Sequence, residues 1–172
     1  MSYQSQSGED KFLEPLLPEK GWFVDVGAWN GVYLSNTYFL VEKGWNGLEI
    51  EADRGKVLEM KKTIPDRIYR IARKVNPFEI DEVIGMFPEI PRNFDLLSID
   101  IDTFDYWVWK NMKNYEPKFV IIESNGRKGH YIQPPKMNYK GIKGSSPKSI
   151  IKLAKSKGYK LIWDKANYIF QK

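Results

Sequence analysis

Four carboxylates in the middle of the chain fall where two predicted strands end. Asp100 and Asp102 close a strand predicted over residues 94–102, Asp105 follows one helical turn later, and Glu123 ends the next predicted strand. Alternate residues of a strand share a face, so we expect the first two side chains to point the same way. Open α/β sheets bind ligands at this carboxyl edge. One hypothesis is general-base chemistry, with Asp102 as the first choice and Asp100 beside it, taking a proton from a substrate hydroxyl.

A second hypothesis treats the same acids as ligands of a cation. Crowded carboxylates repel each other unless a cation, a proton or hydrogen bonds compensate. Asp100, Asp102 and Glu123 offer the hard oxygen atoms that hold Mg²⁺ or Ca²⁺, and such an ion would lower the pKa of a substrate hydroxyl. A structural interpretation stays open as well, with Asp102 or Asp105 capping a helix and a carboxylate paired with Lys128.

Two polar residues of the next segment are further candidates. Residues 124–144 are rich in glycine, proline and polar groups, which predicts a long loop. A loop of this length in a compact domain is usually functional or disordered. His130 can act there as a base or as a hydrogen-bond donor to the substrate, or lie on the surface without a role. Asn125, two residues after Glu123, can contact the substrate together with Glu123 or belong to an ordinary turn.

A glycine-containing turn near the start predicts a nucleoside site. The run Asp25-Val26-Gly27-Ala28-Trp29-Asn30-Gly31 lies between a predicted strand and a predicted helix, and Glu51 ends the following strand. Glu51 lies twenty residues after Gly31. This is the distance along the chain expected for a carboxylate that binds ribose hydroxyls. Trp29 stands where a dinucleotide motif needs its middle glycine, which disfavours NAD or FAD. S-adenosylmethionine, a nucleoside with a sulfonium and no phosphate, fits better, with Asp25 contacting its amino acid part through water or simply capping the loop.

These residues need a scaffold that gathers several strand ends. Apolar β-prone runs alternate with segments of helical period, which predicts βαβ units around a parallel sheet in one domain over residues 1–172. Strands are predicted over 21–26, 47–51, 67–75, 94–102, 118–123, 159–163 and 167–171, the third of them near an edge. Helices are predicted over 33–43, 53–62, 77–87, 104–113 and 147–157.

The composition excludes several classes of chemistry. The absence of cysteine excludes a disulfide scaffold, a zinc finger, an iron–sulfur site and a thiol nucleophile. A single histidine makes a Ser-His-Asp triad unattractive and a multi-histidine metal site impossible. The longest apolar runs are too short to span a bilayer, and the first residues lack the pattern of a signal peptide. We therefore expect a soluble, cytoplasmic domain without a membrane span.

Short motifs along nearly the whole chain match one known family. In order they are SQSGED at 5–10, FVDVGAWNG at 23–31, LSNT at 34–37, GLEIE at 47–51, FDLLSIDID at 94–102, PKFVIIE at 117–123, GSS at 144–146 and KGY at 157–159. With these motifs the chain resembles the FkbM-like S-adenosylmethionine-dependent methyltransferases, which have a class I Rossmann-like fold.

The resemblance implies a fold, an activity and a set of contacts. The fold is a three-layer sandwich around a mostly parallel seven-stranded sheet whose last strand is antiparallel. Members typically methylate hydroxyl oxygens of sugars or small metabolites, and such an acceptor is expected near Asp100 and Asp102. Thr103 departs from the family, which usually has glycine there, so an altered pocket or lost activity is one reading. The residues expected to bind the cofactor, from the turn and from the resemblance together, are Asp25, Gly27, Ala28, Asn30, Gly31, Glu51 and Asp100.

Two rival functions stay open. The formal net charge of +5 and the pI near 9.2 suggest a nucleic-acid substrate. However, enzymes that methylate RNA ribose normally have a Lys-Asp-Lys-Glu tetrad whose glutamate lies late in the chain. No glutamate follows Glu123 in this sequence. Base methylation is disfavoured because no Asp/Asn-Pro-Pro-aromatic run stands at Asp100–Asp102. The other rival is an inactive protein that binds the cofactor and serves as a partner. In so short a domain, a homo-oligomer is one way to complete the acceptor site.

Overall fold

Seven strands form one sheet in the computed structural model, which describes residues 2–136 and 138–172. Along the sheet the order is β3-β2-β1-β4-β5-β7-β6, with the first five strands parallel and β7 antiparallel to both its neighbours. The strands are β1 (Trp22–Val26), β2 (Asn46–Glu51), β3 (Ile68–Ala72), β4 (Leu96–Ile99), β5 (Phe119–Glu123), β6 (Lys160–Asp164) and β7 (Asn167–Gln171). The predicted α/β Rossmann-like sheet with an antiparallel last strand is confirmed.

Helices cover both faces of this sheet and make two separate cores. They are α1 (Glu9–Leu13), followed by a 3₁₀ turn over Glu14–Leu16, α2 (Tyr38–Glu42), α3 (Arg54–Thr63), α4 (Ile80–Gly85), α5 (Asp105–Asn111) and α6 (Pro147–Ser156). The strands alternate their side chains between the two faces. Val24 and Val26 pack with α4, α5 and α6, whereas Phe23 packs with α1, α2 and α3. The result is a three-layer sandwich whose strand ends meet at one edge.

The helix predicted over 33–43 begins later than its apolar period suggests. Polar side chains accept the backbone N–H groups that a helix would use, and this holds residues 33–37 in a turn. The Asn30 Oδ1 atom accepts from the amides of Val32 and Tyr33, and the Ser35 Oγ atom accepts from those of Thr37 and Tyr38. Leu34 has a φ of 54°. The helix predicted from residue 77 likewise begins only at Ile80.

The central strand is shorter than the predicted range of 94–102. It ends at Ile99, because the backbone N–H of Ile101 donates 2.8 Å to the Asp105 carboxylate and Asp102 has a φ of 61°. Asp100 and Asp102 therefore lie on a turn, and the strand alternation used to orient them does not apply. Asp53 is the N-cap of α3, and its side chain accepts from the amides of Gly55 and Lys56.

Candidate active site

The turn after β1 is pressed between the ends of its two neighbouring strands. The amides of Gly27 and Ala28 both donate to the Ile50 carbonyl oxygen, at 2.9 and 3.2 Å. Gly27 has a φ of 95°, and a Cβ added there would lie 1.8 Å from the Asp100 carbonyl oxygen. Only glycine meets both conditions, because it tolerates positive φ and lacks the clashing atom. The turn therefore approaches β4 as closely as backbone allows.

Glu51 ends β2 with both carboxylate oxygens held by backbone amides. The Oε2 atom accepts from the Trp29 N–H at 2.9 Å, and the Oε1 atom accepts from the Asp53 N–H at 2.8 Å. Two such bonds hold the carboxylate at one position beside the turn. The Trp29 side chain is about half exposed, and the Lys56 ammonium lies 4.5 Å from its ring centroid. The Trp29 side chain also lines the cavity described below.

Asp25 is a buried residue of β1 and lies two residues before Gly27. The Thr37 hydroxyl donates to its Oδ2 atom at 2.7 Å. Burial raises the pKa of Asp25 to about 6, and the nearby Asp100 carboxylate adds to the shift, while the Thr37 hydrogen bond opposes it. Near neutral pH a small change in the surroundings therefore decides how much of this carboxyl is charged.

Three acids meet where β4 and β5 end. One carboxylate oxygen from each of Asp100, Asp102 and Glu123 lies within 4.8 Å of the others. Burial, together with the nearby Asp100 and Asp102 carboxylates, raises the pKa of Glu123 to about 7. The pKa of Asp100 is also raised, first by burial and then by Asp102. The cluster can therefore relieve its repulsion by holding a proton, and its oxygens are also of the type that a hard cation uses.

Asp105, which the sequence analysis groups with these acids, has a structural role. Its carboxylate is buried and accepts the Ile101 N–H described above, which shapes the turn before α5. Burial raises the pKa of Asp105 to about 8, even though its backbone hydrogen bonds oppose the shift. Its carboxyl therefore stabilises the loop that carries Asp100 and Asp102.

A cavity of about 520 Å³ opens at this edge of the sheet and is bordered by many of the predicted residues. Its size lies in the range of sites for small molecules and cofactors, roughly 300–1,000 Å³. The predicted residues that line it are Asp25, Gly27, Ala28, Glu51, Asp100 and Asp102. Thr103 also lines it, and its hydroxyl donates to the Ile101 carbonyl oxygen. The turn, the β2 acid and the β4 acids therefore share one cavity.

The other predicted residues lie outside the lining of this cavity. Asn30 accepts from the amides of Val32 and Tyr33 and so shapes the turn, and Gly31 packs against Ile64 and Glu49.

The predicted residues at and after the end of β5 also lie outside this lining. Glu123 lies beside the β4 acids. Asn125 donates to the Lys143 carbonyl oxygen at 2.9 Å, which joins the two ends of the loop. His130 is exposed and lines a second groove, against α5 and α6. The structure thus brings five of the seven predicted cofactor residues together with Asp102 at the cavity, but not Asn30, Gly31, His130 or Asn125.

Sequence reasoning missed part of the wall. Arg73 and Lys74 follow β3 and line the cavity, and so do Tyr33, Leu34, Ser35 and Asn36. The Arg73 N–H donates to the Glu51 carbonyl oxygen at 2.7 Å, and its guanidinium pairs with Glu79 at 2.8 Å. Arg73 and Lys74 could have been predicted from the sequence, because they come directly after a third parallel strand, at the edge of the sheet where ligands bind. Leu34 and Ser35 could not be found, because the apolar period indicated a helix there.

The residues present fit S-adenosylmethionine on two observations. Gly27 brings backbone to the cavity wall where any side chain would collide, and the Glu51 carboxylate is held there by two amides. A held carboxylate suits a pair of ribose hydroxyls. The carboxylates of Asp25 and Asp100 also line the cavity, which suits a ligand with positive charge. Among the helices of the described residues, none has both the length and the apolar character needed to cross a membrane.

No family model matches the chain, and no curated protein matches its sequence. Its fold is similar to that of many solved structures. TehB from Haemophilus influenzae has a TM-score of 0.62 at 10% identity, over 96% of this chain and 62% of that one. A SAM-dependent methyltransferase from Methanosarcina mazei has a TM-score of 0.58 at 10% identity, over 94% of this chain and 96% of that one. The fibrillarin pre-rRNA processing protein of Methanococcus jannaschii has a TM-score of 0.53 at 16% identity, over 90% of this chain and 67% of that one. The chain therefore has the class I fold of S-adenosylmethionine-dependent methyltransferases.

Proposed function

We propose that this protein is an S-adenosylmethionine-dependent methyltransferase that methylates a hydroxyl oxygen. The observation that carries the proposal is the shared cavity of the Gly27 turn, the Glu51 carboxylate and the β4 acids. Bound there, S-adenosylmethionine supplies a methyl group on a positively charged sulfur, which keeps the bonding electron pair when the methyl passes to oxygen. The narrower assignment to the FkbM-like family rests on the sequence motifs alone.

The chain's own residues supply positioning and a proton acceptor. Glu51 is placed to hold the ribose, and Asp25 lies where it can orient the amino acid part. Asp102, exposed at the cavity, is placed to take the proton that the acceptor hydroxyl loses. Holding the reactants in line is the larger effect, because it replaces a bimolecular encounter. Proton removal contributes on the order of 10²–10⁴-fold.

The acceptor classes suggested by the sequence, a sugar or small metabolite and an RNA ribose, share this oxygen chemistry. A protein that binds the cofactor without catalysis is the second candidate, and Thr103 favours it because it stands where the resembling family usually has glycine. Its side chain takes up part of the cavity wall. A Mg²⁺ requirement has no support beyond the closeness of the three carboxylates.

Isothermal titration calorimetry with S-adenosylmethionine and its demethylated product tests the proposal. Glu51→Ala should weaken binding of both by tenfold or more, because it removes the ribose acceptor and frees two backbone amides, about 1.4 kcal/mol or more. Glu89→Ala, at an exposed position on the chain, is the matched control and should bind normally. Absence of binding by the unmodified protein would exclude both candidates. Binding without methyl transfer to sugars, nucleotides or RNA would favour the inactive partner.

A further inference from the structure

The basic residues of this chain are concentrated in a segment that has no acids. Residues 124–163 contain ten of the 27 lysines and arginines and none of the 22 aspartates and glutamates. This segment therefore has a formal charge of +10, whereas the rest of the chain has −5. The moderate net charge of +5 conceals the separation. A surface of one sign attracts a partner of the opposite sign and raises its rate of encounter.

The charges of this basic segment are available to a partner. Arg127, Lys140 and Lys143 of the loop are exposed. Within the described part of the chain, none of the segment's lysines or arginines forms an ion pair with an acid. Their attraction is therefore not used up inside the molecule, and counterions from solution balance them. Release of such counterions drives the binding of phosphodiester chains.

Helix α6 extends the same surface with a row of lysines. Lys148, Lys152 and Lys155 follow the spacing that places residues on one helix face, and all three are exposed. The opposite face, with Ile150 and Leu153, is buried in the core. The helix therefore has no free apolar face to insert into a bilayer, which a membrane-surface helix needs. This favours a polyanion in water over a lipid surface.

Hydrogen bonds hold the loop against the helices. The Tyr131 N–H donates to the Ser146 and Ser149 hydroxyl oxygens at 2.9 and 3.1 Å. The Trp107 Nε1–H donates to the Gln133 carbonyl oxygen at 2.7 Å. A groove of about 410 Å³ runs between loop and helices, and Lys110, His130, Tyr131 and Lys152 are in its walls. Cations beside an aromatic ring suit a single strand, whose bases stack while its phosphates bind lysine.

The basic segment begins directly where the acid cluster ends. Glu123 closes β5, and Asn125, two residues on, is hydrogen-bonded to the Lys143 carbonyl oxygen. Phosphates are repelled by Asp100, Asp102 and Glu123 and attracted by the neighbouring loop. A chain of alternating sugars and phosphates satisfies both, with phosphates on the cations and a sugar hydroxyl at the acids. A small neutral sugar would leave the basic segment unused.

We propose that residues 124–136 and 138–163, together with Lys110, bind single-stranded RNA and present a ribose hydroxyl to the β4 acids. The acceptor role rests on the proposed function. The nucleic acid is RNA and not DNA, because oxygen methylation needs the hydroxyl that an internal deoxyribose lacks. The methyl–oxygen bond forms as the methyl–sulfur bond breaks, and the hydroxyl proton passes to Asp102. A single strand is favoured over a duplex, because its bases are free to stack on an aromatic ring while its phosphates bind the lysines.

Fluorescence anisotropy with a labelled single-stranded RNA, between about 50 and 200 mM salt, tests the surface. Two paired variants remove cations, Lys140→Ala with Lys143→Ala and Lys152→Ala with Lys155→Ala. Each lost phosphate contact on a single strand lowers the slope of log K against log salt by about 0.7, so each pair should lower it by about 1.4. At about 0.1 M salt the same loss weakens binding by about 10- to 30-fold. Lys61→Ala with Lys62→Ala, exposed on α3, is the matched control and should change neither quantity.

Several results would overturn this proposal. One is an RNA affinity that neither basic-segment pair changes, or that the α3 pair changes equally. Another is binding to phosphatidylserine vesicles that depends on these lysines while RNA binding does not, which would assign the surface to a membrane. Methyl incorporation into free sugars but never into bound RNA would overturn the acceptor role.

Calorimetry with S-adenosylmethionine on the same variants separates this proposal from the proposed function. All the lysine variants should bind the cofactor like the unmodified protein, because none of these lysines lines its cavity. Lysine-dependent RNA binding without cofactor binding would support the surface and overturn the proposed function with its acceptor role. Cofactor binding without RNA binding would overturn the RNA surface alone.

Discussion

The carboxyl group of Glu49 lies on the same sheet face as that of Asp25, at paired positions of β2 and β1. Glu49 is fully buried, and neither of its carboxyl oxygens has a hydrogen-bond partner among the described residues. Arg70 occupies the paired position on β3, but its guanidinium donates to the Ile64 carbonyl oxygen and to Asp66 instead. Two buried acids side by side cannot both ionise cheaply. We therefore expect Glu49 to keep its proton at neutral pH.

This proton predicts a pH dependence of stability. Burial raises the pKa of Glu49 from 4.5 to about 8, Asp25 adds to the shift, and Arg70 opposes it. Above about pH 4.5 the unfolded chain loses the proton that the folded protein keeps, so the free energy of unfolding falls until about pH 8. Between about pH 5 and pH 7 this group alone accounts for about 2–3 kcal/mol. Glu49→Gln should remove that part of the slope in urea unfolding measured across this range.

The comparison for Glu49 is Glu89→Gln, at an exposed position that leaves the buried pair intact. This variant should keep the full slope. Asp25, Asp105 and Glu123 also have raised pKa values and keep some slope of the same sign in both variants. Identical slopes for the Glu49 and Glu89 variants would show that Glu49 is ionised in the folded protein.

Gly27→Ala should damage both folding and cofactor binding. Its Cβ would lie 1.8 Å from the Asp100 carbonyl oxygen, and the residue has a φ of 95°. The positive φ costs about 1–2 kcal/mol, and the overlap requires backbone movement at the ends of β1 and β4. We expect a loss of about 3 kcal/mol or more in thermal or denaturant unfolding, together with loss of S-adenosylmethionine binding.

Gly126→Ala is the matched control for this glycine. Gly126 has a φ of 66° but nothing within 4 Å of the added Cβ, so only the conformational cost remains. Its loss of stability should stay near 1 kcal/mol, and cofactor binding should be unchanged. If both variants lost the same stability, the contact between the turn and β4 would not be what requires glycine.

Glu123 should titrate near neutral pH. Its pKa is raised to about 7 by burial, with Asp100 and Asp102 adding to the shift. NMR of the labelled side-chain carboxyl carbon measures this pKa directly, without an acceptor. Asp102→Asn removes one of the two like charges, so the Glu123 pKa should move down. An unchanged value would mean that the two carboxyl groups are further apart in solution or that a bound cation screens them.

Asp102→Asn also tests the assignment of the proton acceptor. Asparagine tolerates the φ of 61° at this position about as well as aspartate, so the fold should be kept. Methyl transfer to RNA or to a responsive sugar should fall by about 10²–10⁴-fold, while cofactor binding stays the same. Asp164→Asn, exposed at the end of β6, should retain the activity. Full activity of the Asp102 variant would mean that positioning alone suffices or that water takes the proton.

Sequence alone was sufficient for the number and order of the strands and for the glycine turn, but not for the end of β4. A buried parallel strand leaves a continuous apolar run, and a turn that needs positive φ leaves glycine, so both are recorded locally. Glu51 could be found for the same reason, since its distance along the chain from Gly31 reflects one βα unit. The segregation of charge into residues 124–163 is also a property of sequence, although the net charge conceals it.

Only the tertiary structure decided where these residues meet. Polar side chains replaced helical hydrogen bonds at 33–37, and the Asp105 carboxylate ended β4 before Asp100. Both are contacts between groups whose partners no periodicity reveals. The pairing of Glu49 with Asp25, and the placing of His130 in a groove against α6 rather than at the acids, likewise depend on sheet register and loop path. Residue types therefore determined the kind of chemistry available, whereas distances through space determined which side chains share a site.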